Sequence, residues 1–444
     1  MTFEMRDEYQ RRLIAEKIIR LLESEVKISP LVIDGHWGAG KTEFCCKLIH
    51  LIEDGEANLQ PIYVDAFKAD HADEPLMTLM AAVLRALPEA DREPLVKKAL
   101  PVIKFGIKTA LKAGTSWLLK QDAAEVAEDF TTEIKKAGDE AINHAVESLL
   151  TDHIAVEESI VALQQALQAL AEAKPIVIFI DELDRCHPDF AVNMLENIKH
   201  IFDVKGVQFV LVTNSEQLRS SINHCYGNGL DAQRYLDKFV QFSLVLSDTH
   251  KPNGYEAVLA SVTHLKALIN GSELMKNAGL NQENFSNFFS SLITANRLSL
   301  REIETLILYL EIYQSLTEQE DLANYVPFGF RVLRILGVFL YGFKPDLTEK
   351  IALNKINVTD IANVLGKTEP FRSWDDDDPD PADVVVAMAG VEDSSANTNF
   401  SFSEEEKQRW REFFSQRFGV SSTRHTTDLF KISIEAIEIL KLKG

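Results

Sequence analysis

Cysteine is scarce: four occur among 444 residues, Cys45 and Cys46 side by side, and no two stand in a C-x-x-C pair. That excludes a disulfide framework and a paired-cysteine zinc site, and it suits a reducing compartment. Basic residues are in deficit as well, 46 lysines and arginines against 68 aspartates and glutamates, for a formal charge of −22. A surface of that sign repels phosphate backbones, so nucleic acid is not favoured as a partner. No run approaches the roughly 18 uninterrupted apolar residues of a membrane-spanning helix, and residues 1–13 are charged, with no apolar core of signal-peptide kind. These absences lead to the expectation of a cytoplasmic protein. What remains is an ordinary globular composition, 46% hydrophobic and 26% charged, at a length suited to two or three domains of about 100–200 residues each.

One stretch organises the chain. Leu31, Val32 and Ile33 read as a buried strand, Gly35 to Thr42 spell G-x-x-x-x-G-K-T, and Phe44, Leu48 and Ile49 continue at helical spacing. Strand, glycine loop and helix in that order make a phosphate-binding loop. Gly35, His36, Trp37, Gly38, Ala39 and Gly40 supply backbone N–H groups around an anion, Lys41 adds a cation, Thr42 offers a hydroxyl to magnesium, and Glu43 follows in the first helical turn.

A second motif completes the chemistry. Ile176 to Ile180 are consecutive apolar residues that end in Asp181 and Glu182, the pattern of a central parallel strand with carboxylates at its C-terminal edge, where ligands bind in a doubly wound sheet. Asp181 is placed to hold hydrated magnesium with Thr42, and Glu182 to orient or deprotonate an attacking water. Strand patterns at 61–67 and 207–214 alternate with helical patterns over 6–24, from about Glu74 to Leu84, over 155–172 and over 191–201. The fold class is therefore α/β with a mostly parallel sheet. The 6–24 helix is read either as lying over the nucleotide base or as packing on the sheet edge.

About 140 residues separate Lys41 from Asp181, more than a compact phosphate-loop core needs, so 88–150 reads as a helical insertion. Within it Lys97, Lys98, Lys104, Lys108, Lys112 and Lys120 interleave with apolar residues such as Phe105 and Trp117. This 97–120 stretch is read either as packing on its own domain or as a peripheral membrane contact. Asn214, ending its strand, is a sensor of the γ-phosphate or an Asx turn. Arg185 and Arg234 are candidate arginine fingers, and Arg301 could reach phosphates from a helical lid; for each arginine a salt bridge or solvent is the competing reading. Beyond Leu246 helices are expected at 255–269, 285–293, 299–316, 330–341, 403–416 and 427–442. Residues 368–398, with Asp375 to Asp378 beside Pro379 and Pro381, read as an acidic loop. The expected domains are a core over 1–250, a helical lid over 251–320 and a C-terminal helical region over 321–444.

The strings Asp34 to Thr42, Phe179 to Pro188 with its D-E-L-D-R-C-x-P, and Gln208 to Leu218 followed by Tyr235 to Phe239 resemble the KAP family of P-loop NTPases. The resemblance covers roughly 5–315. It implies an ATPase core of the additional-strand type related to AAA+ and STAND proteins, a helical lid, ATP as nucleotide, and a setting in bacterial mobile elements and anti-phage defence. Many members carry transmembrane helices between the two motifs, where this chain has a lysine-rich stretch; members commonly show Asp where Asn214 stands. The function expected is magnesium-dependent ATP binding and hydrolysis used as a conformational switch on a protein partner, a defence effector or regulator, by a homo-oligomer. The alternatives are a nucleotide-dependent binding switch and a peripheral membrane scaffold, each with little turnover.

Overall fold

The computed structural model describes residues 2–7, 9–72, 75–87, 89, 92–97, 149–251, 255–352, 357–372, 379–392, 399–417 and 430–442. Contacts divide the chain into two compact units, Met1–Ser247 and Asp248–Gly444.

In the first unit helix α1 (Arg12–Glu23) precedes strand β1 (Leu31–Asp34), and α2 (Lys41–Asp54) leads to β2 (Gln60–Asp65). Then come α3 (Ala66–Ala69), α4 (Pro75–Ala86), α5 (Leu149–Ala173), β3 (Ile176–Asp181), α6 (Pro188–His200), β4 (Val207–Thr213), α7 (Ser215–Tyr226), α8 (Ala232–Leu236) and β5 (Phe242–Val245). The five strands pair in parallel in the order β2-β3-β4-β1-β5. β4 thus lies between the strand that feeds the phosphate loop and the strand that ends in Asp181. Both faces of the sheet are covered, as parallel sheets require. Alternate residues of β3 enter different cores: Ile176, Ile178 and Ile180 pack with α4, α5, α6 and α7, and Val177 and Phe179 pack with α1 and α2. That split is the period-two geometry of a strand.

Boundaries moved where a side chain caps the backbone. The helix expected from residue 6 begins at Arg12, because the Asp7 carboxylate accepts from the N–H groups of Arg11 (2.8 Å) and Arg12 (3.2 Å). The strand expected to reach residue 67 ends at Asp65, whose carboxylate accepts from the N–H of Lys68 at 3.0 Å and starts α3. The insertion expected over 88–150 lies outside the described residues except for 89, 92–97 and 149–150, and so does the 97–120 stretch apart from Lys97. Among the described residues no helix is long and apolar enough to cross a membrane.

The second unit opens with an antiparallel ribbon, β6 (Thr249–His250) on β7 (Val258–Leu259), and continues through α9 (Ala260–Gly271), α10 (Glu273–Asn277), α11 (Glu283–Asn296) and α12 (Leu300–Leu316). Helices α13 (Phe328–Phe343), α14 (Pro345–Ala352), α15 (Val358–Leu365), α16 (Pro381–Glu392), α17 (Glu404–Arg417) and α18 (Phe430–Leu440) follow. Buried residues from Val262 to Leu440, drawn from both the 251–320 and the 321–444 spans, share one hydrophobic core. The acidic-loop reading of 368–398 is corrected by α16, which buries Ala382, Val385 and Met388. Its start is chemically specified: Asp380 and Asp383 exchange backbone-to-carboxylate hydrogen bonds at 3.4 and 2.8 Å, with Pro381 at the first helical position. Asp375 to Asp378 lie outside the described residues.

Candidate functional site

The loop between β1 and α2 turns on two glycines in left-handed geometry, Gly38 and Gly40, each at φ 77°, where a side chain would be strained. Gly35 is not of that kind: a Cβ there would meet its neighbours at an ordinary 3.5 Å. His36 closes the turn by accepting from the N–H of Ala39 at 3.1 Å. Lys41, buried at the start of α2, folds its ammonium back onto the carbonyls of Gly35 (2.7 Å) and His36 (3.1 Å). Burial pushes this ammonium below its ordinary value; Asp184, Asp181 and Asp34 oppose the shift, and Arg185 adds to it. Glu43 faces α2's own Lys47 at 2.7 Å. Behind the loop the Cys45 thiol is buried, which raises its pKa and leaves it an inert packing group.

Asp181 ends β3 in register with Asp65 of β2 and Val212 of β4. Its carboxylate is almost fully buried and accepts from the N–H of Glu182 at 2.8 Å and the Tyr63 hydroxyl at 3.1 Å, and the Thr42 hydroxyl lies close enough to favour its charged form. Burial raises its pKa and these bonds pull against that rise. Tyr63, from the neighbouring strand, is held in its protonated, donating form by burial and by the charge of Asp181. Glu182 adopts a left-handed backbone, φ 60° and ψ 25°, a conformation that costs a non-glycine residue on the order of 1–3 kcal/mol. Its carboxylate meets the Arg185 guanidinium at 3.1 Å.

Side-chain bonds also cross the rest of this sheet edge. Asp34 accepts from the N–H of Ser215 at 2.9 Å. Asp184, one residue beyond Leu183 in the D-E-L-D string, accepts from the Trp37 indole at 2.6 Å and from the Thr213 hydroxyl at 3.1 Å. Asn214 accepts from the N–H groups of Glu216 (3.0 Å) and Gln217 (3.4 Å) and so caps α7. The cap uses the amide oxygen alone, and Nδ2 keeps donor capacity. Beside the loop, Gly40 and, on α2, Glu43, Phe44 and Lys47 form a recess with Phe3, Asp7, Tyr9 and Arg11.

The structure brings together the loop residues Gly35 to Glu43, Asp181, Glu182 and Arg185, with Asn214 on the same sheet edge. Arg234 is bonded to none of them: it is highly exposed on α8 and pairs with Asp231 at 3.2 Å. Arg301 belongs to the second unit, exposed in the first turn of α12 behind the Ser299–Glu302 capping box. Tyr63, Thr213 and the distinct position of Asp184 are what sequence reasoning missed. The second aspartate of D-E-L-D was visible, but spacing does not say which group it meets.

The donors that meet at Thr42 and Asp181 are hard oxygens. Among the described residues no three His, Cys, Asp or Glu side chains group to hold a metal ion. A hydroxyl and one carboxylate fit magnesium, which is held by one or two protein oxygens while water and substrate phosphates supply the rest.

The profile of the KAP family P-loop domain matches residues 11–317, a span that includes every group of this sheet edge. The chain belongs to the KAP family. Nucleotide binding goes with that P-loop fold, and in this KAP chain the fold's two motifs meet as described. No curated protein matches the sequence. Among solved structures it is similar to the Aeropyrum pernix ORC2 protein, determined as ADPNP-ADP complexes, at 12% identity and a TM-score of 0.37 over 98% of this chain and 94% of that one.

Proposed function

We propose that this KAP chain binds ATP with magnesium, hydrolyses it, and uses the cycle as a conformational switch on a protein partner in anti-phage defence, acting as a homo-oligomer. The observation that carries the catalytic reading is the meeting of two motifs from non-adjacent strands: Thr42, at the end of the phosphate loop, lies close enough to Asp181 to favour its charged form, with Glu182 next to it.

Lys41 and the loop N–H groups bind the β- and γ-phosphates. Thr42 and Asp181 would hold magnesium, which would offset the charge that develops on the phosphate oxygens. Glu182 accepts a proton from water as the water oxygen bonds to the γ-phosphorus and the bond to the bridging oxygen breaks, giving ADP and phosphate. Arg185 lies within electrostatic range of Lys41, where a cation favours anionic phosphates.

The test is phosphate release by wild type and by Glu182→Gln, together with binding of a fluorescent ATP analogue. Hydrolysis in wild type that needs magnesium, lost in Glu182→Gln with binding retained, is the expected result. Absence of magnesium-dependent release from wild type overturns the enzyme reading. Mass in solution with and without ATP tests oligomerisation, and phage challenge of cells carrying wild type or Glu182→Gln tests the defence role.

A further inference from the structure

We infer that Asp184 is a positioning residue that fixes the phosphate loop from behind through the indole of Trp37. This rests on the reading of the loop as a nucleotide site and deepens it. Three segments meet at this one carboxylate. Trp37 comes from the middle of the loop, Asp184 from the turn after β3, and Thr213 from the tip of β4, and the two bonds measure 2.6 and 3.1 Å. Asp184 is buried, whereas the Trp37 ring is 48% exposed. The ring therefore gains little from packing, and its one directional tie is the hydrogen bond from Nε1 to a charged acceptor, the stronger kind of hydrogen bond.

Trp37 is followed directly by Gly38, one of the two left-handed positions of the loop. A glycine-rich loop has many accessible backbone conformations, and the N–H groups must converge on one anion to bind it. Anchoring the residue before the turn removes much of that freedom. Thr213 extends the anchor to β4, the strand that ends in the α7 cap at Asn214. The tie thereby joins the loop to β4, which pairs with β1, and to the turn that leaves β3.

Asp184 is also the largest favourable charge at Lys41, so its tie and its charge must be separated. Asp184→Asn keeps an oxygen to accept from Trp37 and an amide to meet Thr213, but removes the charge. Asp184→Ala removes both. Trp37→Phe removes the tie and keeps the charge.

Two measurements read this out. The first is binding of a non-hydrolysable ATP analogue. Asp184→Ala and Trp37→Phe are expected to weaken it about tenfold, the scale of one charge-assisted hydrogen bond. Asp184→Asn should stay within about threefold of wild type by the same scale, and Trp37→Phe/Asp184→Ala should be no weaker than Asp184→Ala. The second needs no nucleotide: acrylamide quenching of Trp37, taken as the difference between each protein and the same protein carrying Trp37→Phe. Quenching is expected to rise in Asp184→Ala and not in Asp184→Asn, with thermal midpoints unchanged. Asp184→Asn as weak as Asp184→Ala, with Trp37→Phe unaffected, would show a purely electrostatic role and overturn the inference. Equal quenching in all Asp184 variants overturns it too. Failure of wild type to bind the analogue overturns the nucleotide reading itself, and is recognised because the quenching arm does not depend on it.

Discussion

The guanidinium of Arg185 holds the carboxylate of Glu182 at 3.1 Å, three residues apart across the turn that leaves β3. Both side chains are largely shielded from solvent, so the pair is better defined than a surface ion pair. The arginine offered by sequence as a candidate finger is thus the immediate partner of the candidate base.

Arg185→Ala should therefore act on turnover more than on affinity. The expected outcome is a kcat about tenfold lower or more, since the base loses its orienting partner, with ADP affinity changed by less than about threefold, because ADP lacks the γ-phosphate. Steady-state kinetics and ADP titration check this. An unchanged kcat would make the pair purely structural.

Tyr63→Phe deletes one of the two hydrogen bonds to Asp181, the other coming from the N–H of Glu182, while keeping the ring. Losing a hydrogen bond to a charged acceptor costs about 1.5–3 kcal/mol when nothing replaces it; water reaches this partly exposed tyrosine, so the expected effect is smaller, a shift of a few-fold in the magnesium concentration that supports hydrolysis. A magnesium titration of the activity decides, and a curve superimposed on wild type removes Tyr63 from the site.

Gly337→Ala should destabilise the second unit. A Cβ at Gly337 would lie 2.5 Å from the carbonyl oxygen of Ser433 and 3.0 Å from the Cβ of Ala436, so α13 and α18 would have to separate where Ser433 Oγ donates to the Leu333 carbonyl at 2.7 Å. Overpacking of this kind costs about 1–3 kcal/mol, measurable by urea unfolding. Stability equal to wild type would mean that the two helices do not meet there.

Lys367 bridges Asp380 at 2.8 Å and Asp383 at 2.7 Å. Burial lowers its pKa, but the two carboxylates outweigh that and leave it above the ordinary 10.5. The folded chain thus holds this proton to higher pH than the unfolded chain. The associated stability is complete below 10.5 and is lost as pH rises through the raised value. Lys367→Met, which leaves two carboxylates facing each other, should cost roughly 1–2 kcal/mol at neutral pH after allowance for partial exposure. Its melting temperature should fall less between pH 10 and 12, of the order of the range where lysine titrates, than that of wild type. A parallel fall in both proteins would contradict the assignment.

The sequence made the strands β1, β3 and β4 legible because each is a short, mainly apolar run, and the loop legible because its glycines and Lys41 have fixed spacing. Strand order was not legible from those runs, since nothing in an apolar run names its neighbour; the additional-strand arrangement came only with the family resemblance. β5 was missed because it is only four residues long, Phe242 to Val245, and at the sheet edge its largely exposed side chains do not alternate between a buried and a solvent face. α16 was hidden by the aspartates beside it, although Asp380, Pro381 and Asp383 spell a helix start. Tyr63 and Thr213 were unreadable for another reason. They reach the site from β2 and β4, so their contacts exist only once the sheet is assembled.

The placement of β4 sets a gauge. Neighbouring strands lie about 4.8 Å apart, so one intervening strand puts the backbones of β1 and β3 roughly 10 Å from each other. That span leaves room between the two strand ends for the phosphate loop, which brings Thr42 at the start of α2 close to Asp181. Direct neighbours would leave half of it, and two intervening strands would put the hydroxyl and the carboxylate out of reach. The working width of the cleft is thus a property of hydrogen-bonded backbone, insensitive to which apolar residues fill the sheet.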